Sequence, residues 1–228
     1  FGESVSARGD SGREVSEARK QTPFAAPEVL SLDAVSTLPT HEGTPIEDVT
    51  LIIRAGEIVG VAGIDGHGQR HLAEVIAGQR KPGSGTVTLD GQDLSRASLR
   101  QRQRLGVRYV TDDRMREGIA SSFSVALNLL LKRIGERPFW RFGRMNRTAV
   151  EAHAEKMIER YGIRASSRAV PVGTLSGGNI QKILLARELS DDPRVVVFHK
   201  PSYGLDLKTV RLVRSEILRL AQNGAAVL

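Results

Sequence analysis

The chain has 228 residues, 40% hydrophobic and 26% charged, with a net charge of +7 and no cysteine. That much apolar material supplies one sizeable core, while the lack of cysteine excludes a disulfide framework or a thiolate metal site. No apolar run approaches the about 18 residues that span a bilayer.

Residues 1–27 are rich in Gly, Ser, Glu, Arg and Ala. They carry too little large apolar surface to offset ordering entropy and read as a linker or disordered lead-in. The chain opens on Phe1 with no charged-then-apolar leader and stops at Leu228 in a strand-like run, as expected of a fragment of a longer protein. From residue 28 the pattern is that of a folded domain. Val29–Leu32, Val49–Ile53 and Glu57–Ala62 read as strands. Gln69–Ala77 carries helical apolar spacing, and Gly85–Leu89 alternates like a strand before a turn at Asp90-Gly91.

Val107–Val110 is a further short strand. Residues 112–175 read as mainly helical, most clearly Asn146–Tyr161, where Val150, Ala154, Met157, Ile158 and Tyr161 share a face. A helix over Gly177–Leu189, a β-branched strand at Arg194–Phe198, an amphipathic helix at Leu207–Ala221 and a last strand at Ala225–Leu228 follow. Strands alternating with helices predict an α/β fold with a largely parallel sheet. Two arginine clusters, Arg100 to Arg108 and Arg133 to Arg147, suggest nucleic acid, but aromatic residues are only 4% and offer no stacking platform. The charge reads as solvated faces, and no nucleic-acid partner is expected.

Two segments carry chemistry. Gly63-Ile64-Asp65-Gly66-His67-Gly68-Gln69-Arg70 lies between a predicted strand and a predicted helix. Its glycines let backbone amides curl around a phosphate at a helix N-terminus. Gly63 and Gly68 match the outer glycines of GxxxxGK[ST]. Gln69 and Arg70 stand where that pattern has lysine and the Mg²⁺-binding hydroxyl, and His67 reads as a solvent-facing loop residue. The second segment, Leu175-Ser176-Gly177-Gly178-Asn179-Ile180-Gln181, opens a helix with a capping serine and two glycines, which leaves a bare, anion-attracting N-terminus. It is followed by the apolar strand Val195–Phe198, then His199-Lys200, then Ser202–Asp206.

In this order and spacing the motifs resemble the ABC-transporter ATPases over roughly residues 28–228. Leu175–Gln181 is similar to their signature, Val195–Lys200 to the Walker B strand and Ser202–Asp206 to the D-loop. Finer detail resembles the second, C-terminal nucleotide-binding half of duplicated simple-sugar and nucleoside importer ATPases: Gly66-His67-Gly68-Gln69, Tyr109–Arg114, Gly118-Ile119, Asn128-Leu129, Leu185–Leu189 and Gly204–Asp206.

The resemblance implies a P-loop NTPase-like, mainly parallel sheet with helices, a helical subdomain at about 112–175 and an antiparallel β edge, with a domain truncated at its C-terminal end. It implies ATP as ligand and two kinds of partner: a second ABC ATPase half, in the same chain or another subunit, and integral membrane permease subunits. A solute-binding protein would be met only indirectly, and the place of action would be peripheral, on the cytoplasmic face of the cell membrane.

Against the family pattern, His199 and Lys200 replace the two Walker B carboxylates, so no catalytic residue is intact. A lysine cannot act as the general base and repels Mg²⁺. No Phe, Tyr or Trp lies between Phe24 and Tyr109 to stack on adenine, which leaves His41 as the only ring in the expected window. The family pairs domains head to tail, each ATP lying between one loop and the other domain's signature. Gly63, Gly66, Gly68, Gln69 and Arg70 then form a degenerate loop, whereas Leu175, Ser176, Gly177, Gly178, Asn179, Gln181 and Asp206 serve the ATP and Mg²⁺ of a partner's site. The alternative is a non-catalytic regulatory or assembly module that binds nucleotide weakly or never.

Overall fold

The computed structural model describes residues 26–41 and 43–228, so the linker reading of 1–27 falls almost wholly outside the described residues. Strands β1 (Glu28–Ser36), β2 (Val49–Arg54), β3 (Ser84–Leu89) and β4 (Gln92–Asp93) form an antiparallel sheet in the order β2-β1-β3-β4. Leu30 pairs with Leu89 and Leu32 with Val87 on the buried side of the pleat. Asp90 and Gly91, both at positive φ, close the two-residue β3-β4 turn, as the Asp-Gly pair predicts.

A second, parallel sheet runs β5 (Val107–Val110), β8 (Val195–Phe198), β9 (Ala226–Val227). Strand β8 is buried on both faces, as its unbroken apolar run requires. Val195 and Val197 enter one cluster, with the antiparallel sheet and helix α1 (Gln69–Ala77). Val196 and Phe198 join the other, with helices α4 (Arg147–Tyr161), α5 (Gly177–Glu188) and α6 (Leu207–Gln222).

Between β5 and α5 lie a turn at Arg114–Gly118, helix α3 (Val125–Leu130), the small hairpin β6 (Trp140–Arg141) and β7 (Arg144–Met145), and α4. The hairpin is a small β element within a stretch expected to be mainly helical. Helix α2 (Leu99–Arg104) was not foreseen. Ser98 and Gln101 close it with a reciprocal capping box.

The expected strand at Glu57–Ala62 is only partly formed. Ile58 bridges Val227, Val59 N–H donates to the Val227 carbonyl, and Val227 N–H donates to the Glu57 carbonyl. Gly60–Ala62 join no ladder in the structure. Among the described residues no helix is long and apolar enough to cross a membrane.

Candidate functional site

The loop at 63–70 leads from this half-paired strand into α1, with Gly68 as N-cap at φ 93°. A β-carbon on Gly68 would meet Ile46 Cγ2 at 2.8 Å, so both conformation and packing demand glycine there. Thr44 N–H donates to the Gly66 carbonyl and His67 N–H to the Ile64 carbonyl. The first intrahelical bond runs from Leu72 N–H to the Gly68 carbonyl, so the amides of the first turn lack intrahelical partners, as at any helix start. His67 is exposed, as expected, and His41 is exposed too.

The two substituted positions are engaged within the chain. Gln69 Nε2 donates to the Ile64 carbonyl at 3.0 Å and lies 2.5 Å from where a Gly63 β-carbon would be, so its amide folds back over the loop. Arg70 is held by Glu74 at 2.6 Å and Glu117 at 2.5 Å. Glu74, nearly buried, also binds Arg80 at 2.7 Å. Burial alone would raise its carboxyl pKa, but the hydrogen bonds from Arg70 and Arg80 prevail and hold it below the usual range.

At the end of β8, His199 N–H extends the ladder to the Val110 carbonyl, and Lys200 follows at φ 45°. Lys200 Nζ lies 2.5 Å from Asp65 Oδ1 in the loop and 3.7 Å from Asp112 Oδ2. The hydrogen bond from Lys200 lowers the Asp65 pKa, and the same bond raises that of Lys200. His199 Nδ1 is 2.9 Å from Asp112 Oδ1, close enough for an ion pair if the ring is protonated. It lacks the alignment of a hydrogen bond and remains a buried nitrogen without one.

Mg²⁺ does not fit this arrangement. Where the resemblance places its ligands stand Arg70 and His199, with the ammonium of Lys200 beside them. The nearby carboxylates of Asp65 and Asp112 face Lys200, and Asp112 also faces His199. Among the described residues no cluster of three or more histidine and carboxylate side chains could hold a metal ion.

Ser176 occupies the N-cap position of α5, with Ser176 and Gly177 exposed. The expected side-chain cap is not made. Instead Ser176 Oγ accepts a hydrogen bond from Asn179 Nδ2 at 3.0 Å, and Asn179 Oδ1 accepts one from Arg164 N–H at 2.8 Å. Leu175 packs partly against the core, and Gln181 is 1% exposed with its amide nitrogen unpartnered. Gln181 therefore supports the turn from inside and offers no surface group. Gly178 closes on the D-loop: a β-carbon there would lie 2.9 Å from Asp206 Oδ2. Asp206 caps α6 through Thr209 N–H and Oγ1, at 3.0 and 2.7 Å.

Loop and signature thus stand at the starts of two different helices, and residues the sequence reading did not assign tie them to the rest. Arg114 donates to the Tyr203 carbonyl and lies beside Gly177. Glu117 accepts from both Arg70 and Thr111. Asp65, Asp112 and Arg114 fall in segments already singled out and Glu117 lies just beyond one; for the three carboxylates, the need for oppositely charged partners to Arg70 and Lys200 was the signal that could have found them.

Residues 46–202 match the ABC transporter family. The guanosine import ATP-binding protein NupO of Bacillus subtilis is 32% identical over 218 residues, 95% of this chain and 43% of its own length. The glucose import ATP-binding protein TsgD13 of Haloferax volcanii is 40% identical over 184 residues, 80% of this chain and 34% of its own. The ribose import ATP-binding protein RbsA 1 of Agrobacterium fabrum is 35% identical over 218 residues, 95% and 41% respectively. The chain spans less than half the length of each.

Among solved structures, a nucleotide-free ATP-binding cassette from an ABC transporter superposes with a TM-score of 0.72 at 20% identity, covering 89% of this chain and 80% of that one. A dimeric cassette in a post-hydrolysis state, bound to ADP and Pi, gives 0.70 at 21%, covering 87% and 85%. At this identity the likeness is one of fold.

Proposed function

We propose that this chain, which belongs to the ABC transporter family, is an ATP-binding half of an importer for simple sugars or nucleosides whose signature completes a partner's ATP site while its own loop does not hydrolyse. The solute class rests on relatives named for guanosine, glucose and ribose import.

The observation that carries the reading is the contrast between the start of α5 and the end of β8. At α5, Ser176 and Gly177 present a hydroxyl and first-turn amides to solvent, a group suited to an anion. At the end of β8, the ammonium of Lys200 binds Asp65 where a carboxylate is needed to polarise water. Hydrolysis needs that base, and Lys200 at neutral pH has no lone pair to offer.

The partner ATPase half, in the same polypeptide or another subunit, would bring the intact phosphate loop, the Walker B carboxylates and Mg²⁺. Leu175, Asn179, Gln181 and Asp206 position Ser176–Gly178 without touching the phosphate themselves. Integral membrane permease subunits are the other direct partners, a solute-binding protein is reached only through them, and the assembly works peripherally on the cytoplasmic face of the membrane. The test is ATP turnover by the purified chain alone. No turnover above buffer is expected. Turnover that disappears on changing Gln69 or Lys200 would refute the reading.

A further inference from the structure

The Lys200–Asp65 pair joins the end of β8 to the loop. Asp65 is 77% exposed on its side chain and Lys200 35%. An exposed pair of this kind is weakly held, because water and salt compete for both charges. Asp65 offers one negative charge, whereas a nucleoside di- or triphosphate brings several, together with oxygens that accept from backbone amides.

The surroundings favour a bare anion over its magnesium complex. Arg70 is already bound by Glu74 and Glu117. Both oxygens of Asp112 face nitrogens, Oδ1 at 2.9 Å from His199 Nδ1 and Oδ2 at 3.7 Å from Lys200 Nζ, which leaves little room for a cation at that carboxylate. A divalent cation brought up to Lys200 would meet a fixed positive charge at close range, and like charges a few ångströms apart repel.

We infer that this chain's own loop binds nucleoside di- and triphosphates as metal-free anions, with Lys200 leaving Asp65 to serve as the counter-cation that Mg²⁺ supplies elsewhere. The inference rests on the degenerate-site reading above but is separable from it, since it concerns binding and not turnover.

The test is isothermal titration of the purified chain with ADP, once in EDTA and once in excess MgCl2. Binding in EDTA is expected, weakened at least about threefold by Mg²⁺. Lys200→Gln should weaken it about tenfold, the effect of losing one charge-assisted contact. Because a loss can come from misfolding, the deciding variant is Asp65→Asn. It alters only an exposed loop carboxylate, and freeing Lys200 should tighten ADP binding several-fold in EDTA. Binding that requires Mg²⁺, binding unchanged or weakened in Asp65→Asn, or no binding by either protein would each overturn the inference. In all three cases an absence of turnover would leave the degenerate-site reading standing.

Discussion

Replacing Gly178 with alanine tests the seam between the signature helix and the D-loop. The added carbon would lie 2.9 Å from Asp206 Oδ2 and 3.0 Å from Thr209 Oγ1, inside the about 3.5 Å at which non-bonded atoms rest. Neither oxygen yields easily, because Thr209 N–H and Oγ1 both donate to Asp206 at 3.0 and 2.7 Å. The methyl must therefore disrupt the cap of α6 or push α5 away. A lost cap costs about 0.5–2 kcal/mol. Alanine recovers up to about 1 kcal/mol over glycine in a helix interior and less at the second helical position. The net expectation is a loss of about 1 kcal/mol, a fall in Tm of about 2–4 °C for a domain of this size.

In an Asp206→Ala background the cap is already gone and Thr209 is free to rotate. The same glycine-to-alanine change should then be neutral or stabilising. Urea unfolding of the four proteins gives the coupling directly as a double-mutant cycle. A Gly178→Ala cost that is the same in both backgrounds, within the about 0.3–0.5 kcal/mol of ordinary additivity, would refute the contact.

Gly68→Ala combines a left-handed backbone at φ 93° with a 2.8 Å clash on Ile46; about 2–4 kcal/mol of stability should be lost in urea melts. Gly91→Ala, with φ 79° but open space around it, should lose only about 1 kcal/mol. Equal losses would mean that Ile46 does not confine the loop. For Asp65, an NMR titration should place the carboxyl below the ordinary value of about 3.9, because Lys200 hydrogen-bonds to the ionised form. Its folded-state pKa is lowered, so the pair's stabilisation is present above about pH 4 and is lost as pH falls through the lowered value. In Lys200→Gln the titration should move back up, and an ordinary value in both proteins would remove the pair from solution.

The legible parts of the fold were those written in local pattern. Strand β8 is an unbroken β-branched run, α6 begins at the Asp206 cap, and α4 shows its apolar face at helical spacing and ends at Gly162. Helix α2 was missed because it carries a single apolar residue, Leu99, and is held by Arg102. That guanidinium, 1% exposed, bonds the carbonyls of Val75, Ile76 and Leu94 at 2.8, 2.8 and 2.6 Å, a tertiary arrangement with no periodic signature.

The apolar pattern at 57–62 predicts a strand, but only an isolated bridge at Ile58 and its flanking hydrogen bonds form. Ladder pairing depends on a neighbouring strand, which a local pattern does not specify. At the site, the identities of Gln69, Arg70, His199 and Lys200 were plain in the sequence, but their partners were not. Salt bridges such as Arg70–Glu117, 47 residues apart in the chain, arise from topology. Gln181 belongs to the signature by pattern, but motif membership says nothing of burial, and the fold places it inside.

Whether this chain lends its signature to a partner's ATP is decided by hydrolysis in the full assembly, with its partner half and membrane subunits, measured for two variants of matched thermal stability. Ser176→Arg puts bulk and a misplaced charge where the γ-phosphate would dock and removes a donor aimed at it; turnover should fall on the order of a hundredfold. Gln69→Ala removes only the amide folded over this chain's own loop and should leave turnover nearly unchanged. Equal losses in the two variants would contradict the in-trans assignment and restore this chain's own site as a working one, and no loss in either would make the chain an assembly module.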